Sequence, residues 1–213
     1  MDTAILTRKE ELVPELKAYL HHKTFPMIQH PLVYSVPHFQ EMNAFVNAQL
    51  KHKTEAVEKA LKKRDFVSYV FLHERPYRFQ AIQKIAADVK NSDYWKLLSQ
   101  FWIDSENIWQ NKEAWRSLLL SQRPGRHHFM SMADREALAS LPDKVTIYRG
   151  YDARKGDPHG FSYTLNPDIA KKFARRFYGS LPEVKTRTIS KEEILAYTNR
   201  RGEEEIITLL WLP

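Results

Sequence analysis

Arg200-Arg201-Gly202-Glu203-Glu204-Glu205-Ile206-Ile207-Thr208-Leu209-Leu210-Trp211-Leu212 sets three consecutive carboxylates between a basic turn and an apolar run. The β-branched and aromatic content after Glu205 predicts a buried strand, and Gly202 predicts a tight turn feeding it. Side chains alternate faces along a strand, so Glu203 and Glu205 are expected to share one face and Glu204 to point the other way. Two carboxylates at the mouth of a strand are either a solvated hairpin end or a pair with a chemical task. The residues upstream bear on that choice.

From Leu141-Pro142-Asp143 onward the texture is strand and turn. Lys144 to Gly150 alternates like a strand and ends in Arg149-Gly150, Gly156 to Gly160 reads as a loop, and Phe161 to Leu165 reads as a second short strand. Asn166-Pro167-Asp168 starts a helix, with Asn166 as cap and Pro167 in its first turn, that carries Ile169, Ala170, Phe173, Ala174 and Phe177 towards Gly179. Val184 to Ile189 is strand-like, Ser190 to Glu193 has the character of a capping box before Ile194-Leu195, and Ala196 to Gly202 leads into the carboxylates.

Residues up to about 140 read as helical. A first amphipathic helix is expected over Glu11 to Tyr19, with Pro14 in its first turn, and His30-Pro31 and Val36-Pro37 bracket an extended connector. A longer helix from Phe39 to Lys63 sets Phe39, Met42, Phe45, Val46, Leu50, Val57 and Leu61 on one side and a solvated basic face on the other. Pro76 suits the start of a helix running to Val89, Ser92 is expected to cap the next, and Ser105 another through Trp109 towards Leu120. The tryptophans along these helices read as core. Ser131 with Asp134 three residues on predicts a capped helix ending near Ser140.

The 213 residues are 43% hydrophobic and 12% aromatic, enough for a packed core. With no cysteine there is no disulfide framework, thiolate metal site or cysteine nucleophile. His127-His128 and His21-His22 lack a third ligand at metal spacing, so no metal is expected. The net charge of +7 is spread over both parts of the chain and favours acidic partners only modestly. No stretch approaches the roughly 20 apolar residues of a membrane span, and the first residues lack the layout of a secretory leader, so no membrane association and a cytoplasmic setting are expected.

An Arg-Gly strand end, a serine in the next strand before a capped helix, and a Glu-x-Glu opening a late strand follow one another in the last third of the chain. In order and texture Val145 to Gly150, Gly160 to Ala174 and Ala196 to Ile207 resemble the mono-ADP-ribosyltransferase superfamily of the Arg-Ser-Glu type, over about residues 141 to 212. The helical region read from the pattern, residues 1–140, precedes the part that carries the resemblance, which implies a split two-sheet α+β core, residues 141–213, holding NAD in a cleft. It implies Arg149, with Gly150 beside it, as the NAD-binding arginine, a role that suits a planar, permanent cation. Ser162 corresponds to the serine that orients the catalytic glutamate, and Glu205 to that glutamate, which stabilises the oxocarbenium-like centre formed when nicotinamide leaves. Glu203 corresponds to the residue that engages and activates the acceptor. Tyr197 to Gly202, including Asn199, Arg200 and Arg201, corresponds to the substrate-recognition turn, and Phe173 or Phe177 to a stacking partner of nicotinamide.

The chain departs from the family in two places. Phe161-Ser162-Tyr163-Thr164 replaces the frequent Ser-Thr-Ser triplet, which leaves open whether Thr164 shares the orienting and NAD-binding work. Three glutamates in a row leave the register open by one residue, and Glu203 with Glu205 is preferred because Glu205 directly precedes Ile206-Ile207. In the family Glu-x-Glu accompanies protein arginine acceptors, whereas the basic balance and Arg200-Arg201 suit an RNA backbone. The expected function is therefore a nicotinamide-releasing transferase acting on RNA or protein, resembling intracellular toxins and phage-defence effectors neutralised by an antitoxin protein. The competing function is a non-catalytic helical module that binds nucleic acid or a protein partner.

Overall fold

Residues 10–22, 24–35, 37–105, 108–154, 158–176 and 178–209 are described by a computed structural model, and expectations for Phe177, Gly156 and the final run from Leu210 lie outside them. The fold is α+β, with helices preceding the larger of two antiparallel sheets. The chain divides into two compact units, Met1–Val89 and Lys90–Pro213. The change of texture at Leu141 falls inside the second unit.

In the first unit Pro14 opens α1 (Pro14–Lys17), a single turn where the longer helix to Tyr19 was expected. It is followed by β1 (Leu20–His22), β2 (Pro26–Gln29) and β3 (Tyr34–Ser35), which pair antiparallel in chain order. These strands correct the all-helical expectation. Strands of two to four residues are too short for period-two alternation to register, yet extended backbone must find hydrogen-bond partners and does so by pairing. After a 3-10 turn, α2 (Asn43–Lys62) follows its predicted course, although Phe39 and Leu61, expected on its apolar side, are 54% and 41% exposed. The side chain of Asp65 caps α3 (Phe66–Leu72) by accepting from Ser68 N at 3.0 Å. Pro76 lies in a 3-10 turn before α4 (Arg78–Ile85), which ends four residues short of Val89. Leu12, Leu16, Ile28, Leu32, Val33, Val46 and Leu50 form a buried cluster in this unit.

The second unit starts with α5 (Asn91–Asp104) and α6 (Lys112–Leu119). Lys90, not Ser92, flanks the start of α5, and Ser105 closes that helix by donating to Phe101 O at 2.7 Å instead of capping the next. Phe101 stacks on Trp115 with ring centroids 4.8 Å apart, and Trp102 meets Trp115 edge-on at 5.0 Å. Ser131 and Asp134 form the expected capping box of α7 (Met132–Ser140).

The strands β4 (Lys144–Asp152), β5 (Ser162–Thr164), β6 (Pro182–Ser190), β7 (Ile194–Thr198) and β8 (Glu205–Thr208) make one antiparallel sheet in the order β6-β4-β5-β8-β7. Where a split pair of sheets was expected, β4 and β6 pair along their whole length, but β4 meets β5 at one register position, Tyr148↔Thr164. Val145, Ile147, Tyr163, Ile189, Ile194, Tyr197 and Ile206 form the core cluster, with Ala137, Leu138 and Leu141 packed against it. The helix α8 (Pro167–Ala174), capped by Asn166, lies so close to β4 that a Cβ on Gly150 would sit 1.8 Å from Ala170 O. Among the described residues no helix is long and apolar enough to cross a membrane.

Candidate active site around Glu205

Directly opposed residues in an antiparallel pair share a face of the sheet. The registers Thr164↔Glu205↔Thr198 and Ser162↔Ile207↔Ala196 therefore place Ser162, Thr164 and Glu205 on one face. Tyr163, Ile206 and Tyr197 occupy the other, in the core. Glu205 is only 4% exposed although it opens its strand. Ser162 Oγ donates to Glu205 Oε1 at 2.5 Å, and Trp102 Nε1 donates to the same oxygen at 3.1 Å. The second oxygen, Oε2, is buried and accepts no hydrogen bond. Burial pushes the Glu205 carboxyl above the usual carboxylate range. The bonds from Ser162 and Trp102 and the Arg201 cation pull it down, and Glu203 pushes it further up.

Glu203 and Glu205 do converge, but not by strand alternation. Glu203 precedes β8, and Glu204 between them has a left-handed backbone with φ 45°. That kink lets Arg201 Nη2 lie 3.0 Å from Glu203 Oε2 and 3.8 Å from Glu205 Oε2. The turn is fastened from several sides. Gly202, at φ 68°, donates to Asn199 O at 3.0 Å, and Glu204 N donates to Asn199 Oδ1 at 3.1 Å. Thr164 Oγ1 donates to Glu203 O at 2.6 Å, and Leu165 N donates to Glu204 O at 3.0 Å. Thr164 thus braces the glutamate turn, while Ser162 alone of the pair touches the Glu205 carboxylate. Asp134 of the α7 capping box also accepts from Asn199 N at 3.0 Å, tying the helix start to the turn.

Arg149 joins this group through the backbone: its Nη1 donates to Ser162 O at 2.7 Å. Its guanidinium lies over Gly160, where a Cβ would come within 2.2 Å of Arg149 Cζ, so a side chain there would displace the guanidinium from this position. Gly150 serves the packing of α8 against β4. Phe173 is 40% exposed on α8. Tyr197, expected in the recognition turn, is 6% exposed and turned into the core, whereas Asn199, Arg200 and Arg201 do belong to the turn. Glu204 holds the turn through its backbone.

Trp102 and Gly160 are the site residues that sequence reasoning missed. Trp102 sits at core spacing on α5 and carried no signal of its contact with Glu205, while a glycine just before the Phe161 to Leu165 strand was a visible mark of close approach. Searches of protein-family models, curated proteins and solved structures found no match for this chain. The chemistry of the site therefore rests on its own geometry and on the sequence resemblance.

Among the groups assembled here, the Glu205 carboxylate is held at Oε1 by Ser162 and Trp102, while Oε2 is buried, accepts no hydrogen bond and has Arg201 Nη2 3.8 Å away. A ribose hydroxyl is a donor of the kind that Oε2 lacks, and such a hydroxyl would be the group to fill it if NAD were bound. Arg149 is the cation that would face its phosphates.

Proposed function

We propose that this protein is an NAD-dependent mono-ADP-ribosyltransferase that modifies a macromolecule, RNA or protein. The observation that carries the proposal is the buried Glu205 carboxylate, with Oε1 fixed by Ser162 and Trp102 and Oε2 without a hydrogen bond. A buried carboxylate with one unsatisfied oxygen costs stability, and such groups concentrate at functional sites. In this reading NAD supplies an activated N-glycosidic bond. Glu205 Oε2 takes the hydrogen bond of the ribose 2′-hydroxyl and places negative charge beside the sugar carbon that becomes electron-poor. Ser162 and Trp102 hold that carboxylate in one rotamer, and Glu203 accepts the proton of the attacking acceptor group. Arg149 binds the pyrophosphate. A non-catalytic helical module, the alternative reading, gives no reason for this arrangement. The cytoplasmic setting, the role as a toxin or phage-defence effector and an antitoxin partner accompany the same proposal through the sequence resemblance.

The test is incubation of the protein with NAD labelled in its adenylate part and a cell lysate, followed by RNase or protease. Label retained by one polymer and lost with the other identifies the acceptor class. Absence of both nicotinamide release and polymer-bound label removes the proposal.

A further inference from the structure

Basic side chains gather at the start of α5 and along the segment that leads into α7. Arg123-Pro124-Gly125 runs into the 3-10 turn Arg126–Phe129, and its path is pinned by an indole. Trp95 Nε1 donates to Arg123 O at 3.3 Å and to Pro124 O at 3.2 Å. Tyr94 and Trp95 are buried with ring centres 5.1 Å apart, and a guanidinium lies against each. Arg123 Cζ is 4.7 Å from the Tyr94 ring centre, and Arg126 Cζ is 5.6 Å from that of Trp95. Lys96, next on α5, and Arg135, on α7, are exposed. Desolvation, and after it the positive charge of His127, Lys96 and Arg135, holds the His128 imidazole below its usual pKa against the pull of Asp93. Carboxylates offset little of this charge. Asp93 comes only within 3.9 Å of Lys96, with both side chains more than half exposed, and Asp134 is taken up by Ser131 and Asn199. Glu136 follows Arg135 on α7, but successive helix residues do not face each other. The surface continues into the candidate site: Met130 Sδ accepts from Tyr197 N at 3.3 Å and Asp134 Oδ1 from Asn199 N at 3.0 Å. The segment between Arg126 and Arg135 is thereby bonded to the strand and turn that lead to the exposed Arg200 and Arg201.

We propose that Lys96, Arg123, Arg126 and Arg135 dock the phosphodiester backbone of a single-stranded RNA and lead it to the Arg200–Arg201 turn, which makes RNA the acceptor class. The docking half stands on this surface alone, and the acceptor half rests on the transferase reading above. A guanidinium held against a ring has given up much of its rotamer freedom before binding, so less entropy is lost when it meets a phosphate. Phosphates repeat their charge along a strand, as these cations repeat theirs over α5, the turn and the start of α7. Backbone contacts of this kind fix the register of a nucleic acid and leave the choice of base to the site. Interfaces between proteins have apolar, charge-depleted centres, whereas here cations occupy the centre.

The experiment titrates the full chain into a fluorescein-labelled single-stranded RNA of roughly 20 nucleotides, read by anisotropy between about 50 and 200 mM salt, with the same sequence as DNA and with poly-glutamate as competitors. Wild type should bind with an affinity that falls steeply as salt rises. Lys96→Gln with Arg135→Gln, both at exposed positions, should weaken binding roughly tenfold and flatten the log–log salt slope by about 1.4, at about 0.7 per lost phosphate contact. Lys62→Gln with Lys63→Gln removes the same charge from exposed positions of the other unit and should change binding by less than about twofold. Absence of RNA binding, or equal losses in the two variant pairs, overturns the docking surface. Poly-glutamate that displaces RNA at equal charge assigns the surface to an acidic protein and overturns it as well, as does tighter binding of the DNA. With labelled NAD added, label on the bound RNA that falls in the Lys96→Gln, Arg135→Gln variant supports the acceptor half. Nicotinamide release with label on protein alone overturns that half and leaves the transferase reading standing. Absence of nicotinamide release overturns the transferase reading and the acceptor half together, and the anisotropy still decides the docking half.

Discussion

Glu205 occupies a position where a neutral side chain would be more comfortable. Burial raises the pKa of its carboxyl above the ordinary carboxylate value, so folding opposes its ionisation. For a group raised in this way, the associated stability is present below the unfolded value and is lost as the pH climbs through the folded value. Glu205→Gln keeps an acceptor for Ser162 and Trp102 and removes the charge. The melting temperature of this variant relative to wild type should therefore rise as the pH climbs above the ordinary carboxylate range, while nicotinamide release is abolished. An offset constant with pH would refute the burial account, and a fully active variant would refute the catalytic one. Trp102→Phe tests the other bond to Oε1. Hydrogen bonds to charged groups contribute about 1.5–3 kcal/mol, and losing one that lowers the carboxyl's pKa should move the acid limb of the rate profile to higher pH. An unmoved limb in a folded variant would reduce Trp102 to packing. Arg149, Ser162 and Glu205 were singled out from the sequence by residue type and order, and the fold brings them together. Trp102 was not, since its partner lies 103 positions away and nothing in helical spacing encodes that distance.

At the scale of elements, period and capping were readable where a segment was long or its signal complete. The helix α2 spans twenty residues and shows its stripe, and Ser131 with Asp134, like Asn166 with Pro167, states a helix start in three or four letters. The β1–β3 strands and the single-turn α1 were too short to show a period. The pairing of Glu203 with Glu205 was read from strand alternation, but it comes from a left-handed residue between them, a conformation that glutamate composition does not announce. Gly150 shows the same gap between letter and role: it was assigned to NAD, and its missing side chain is what admits α8 to β4. Gly150→Ala would place a methyl 1.8 Å from Ala170 O and 2.7 Å from Ala174 N. It should cost about 1–3 kcal/mol or more in chemical denaturation, with overpacking as the cause. Phe173→Ala on the exposed side of the same helix should change stability by about 0.5 kcal/mol or less. Equal midpoints for wild type and Gly150→Ala would contradict the packing described here.

Across the whole molecule, composition changes at Leu141 because helix gives way to sheet, but folding units follow burial, and burial joins segments far apart in sequence. Within Lys90–Pro213, the α7 side supplies Ala137 and Leu138 to the core of the sheet, and α5 supplies the indole that holds Glu205. Trp95, Trp102 and Trp115 are at most 1% exposed, so helices before the texture change carry much of this unit's apolar burial. A fragment spanning 90–213 should therefore melt in one cooperative transition with fixed tryptophan near-ultraviolet dichroism. A fragment spanning 141–213 exposes the Tyr163–Ile206 face that α7 covers and leaves the Glu205 carboxylate without the Trp102 bond. It should show no cooperative transition and no nicotinamide release. A sharp melt from the shorter fragment would mean that α5–α7 are accessory to the sheet, and Glu205 would then have to keep its raised pKa and its orientation from Ser162 and the glutamate turn alone.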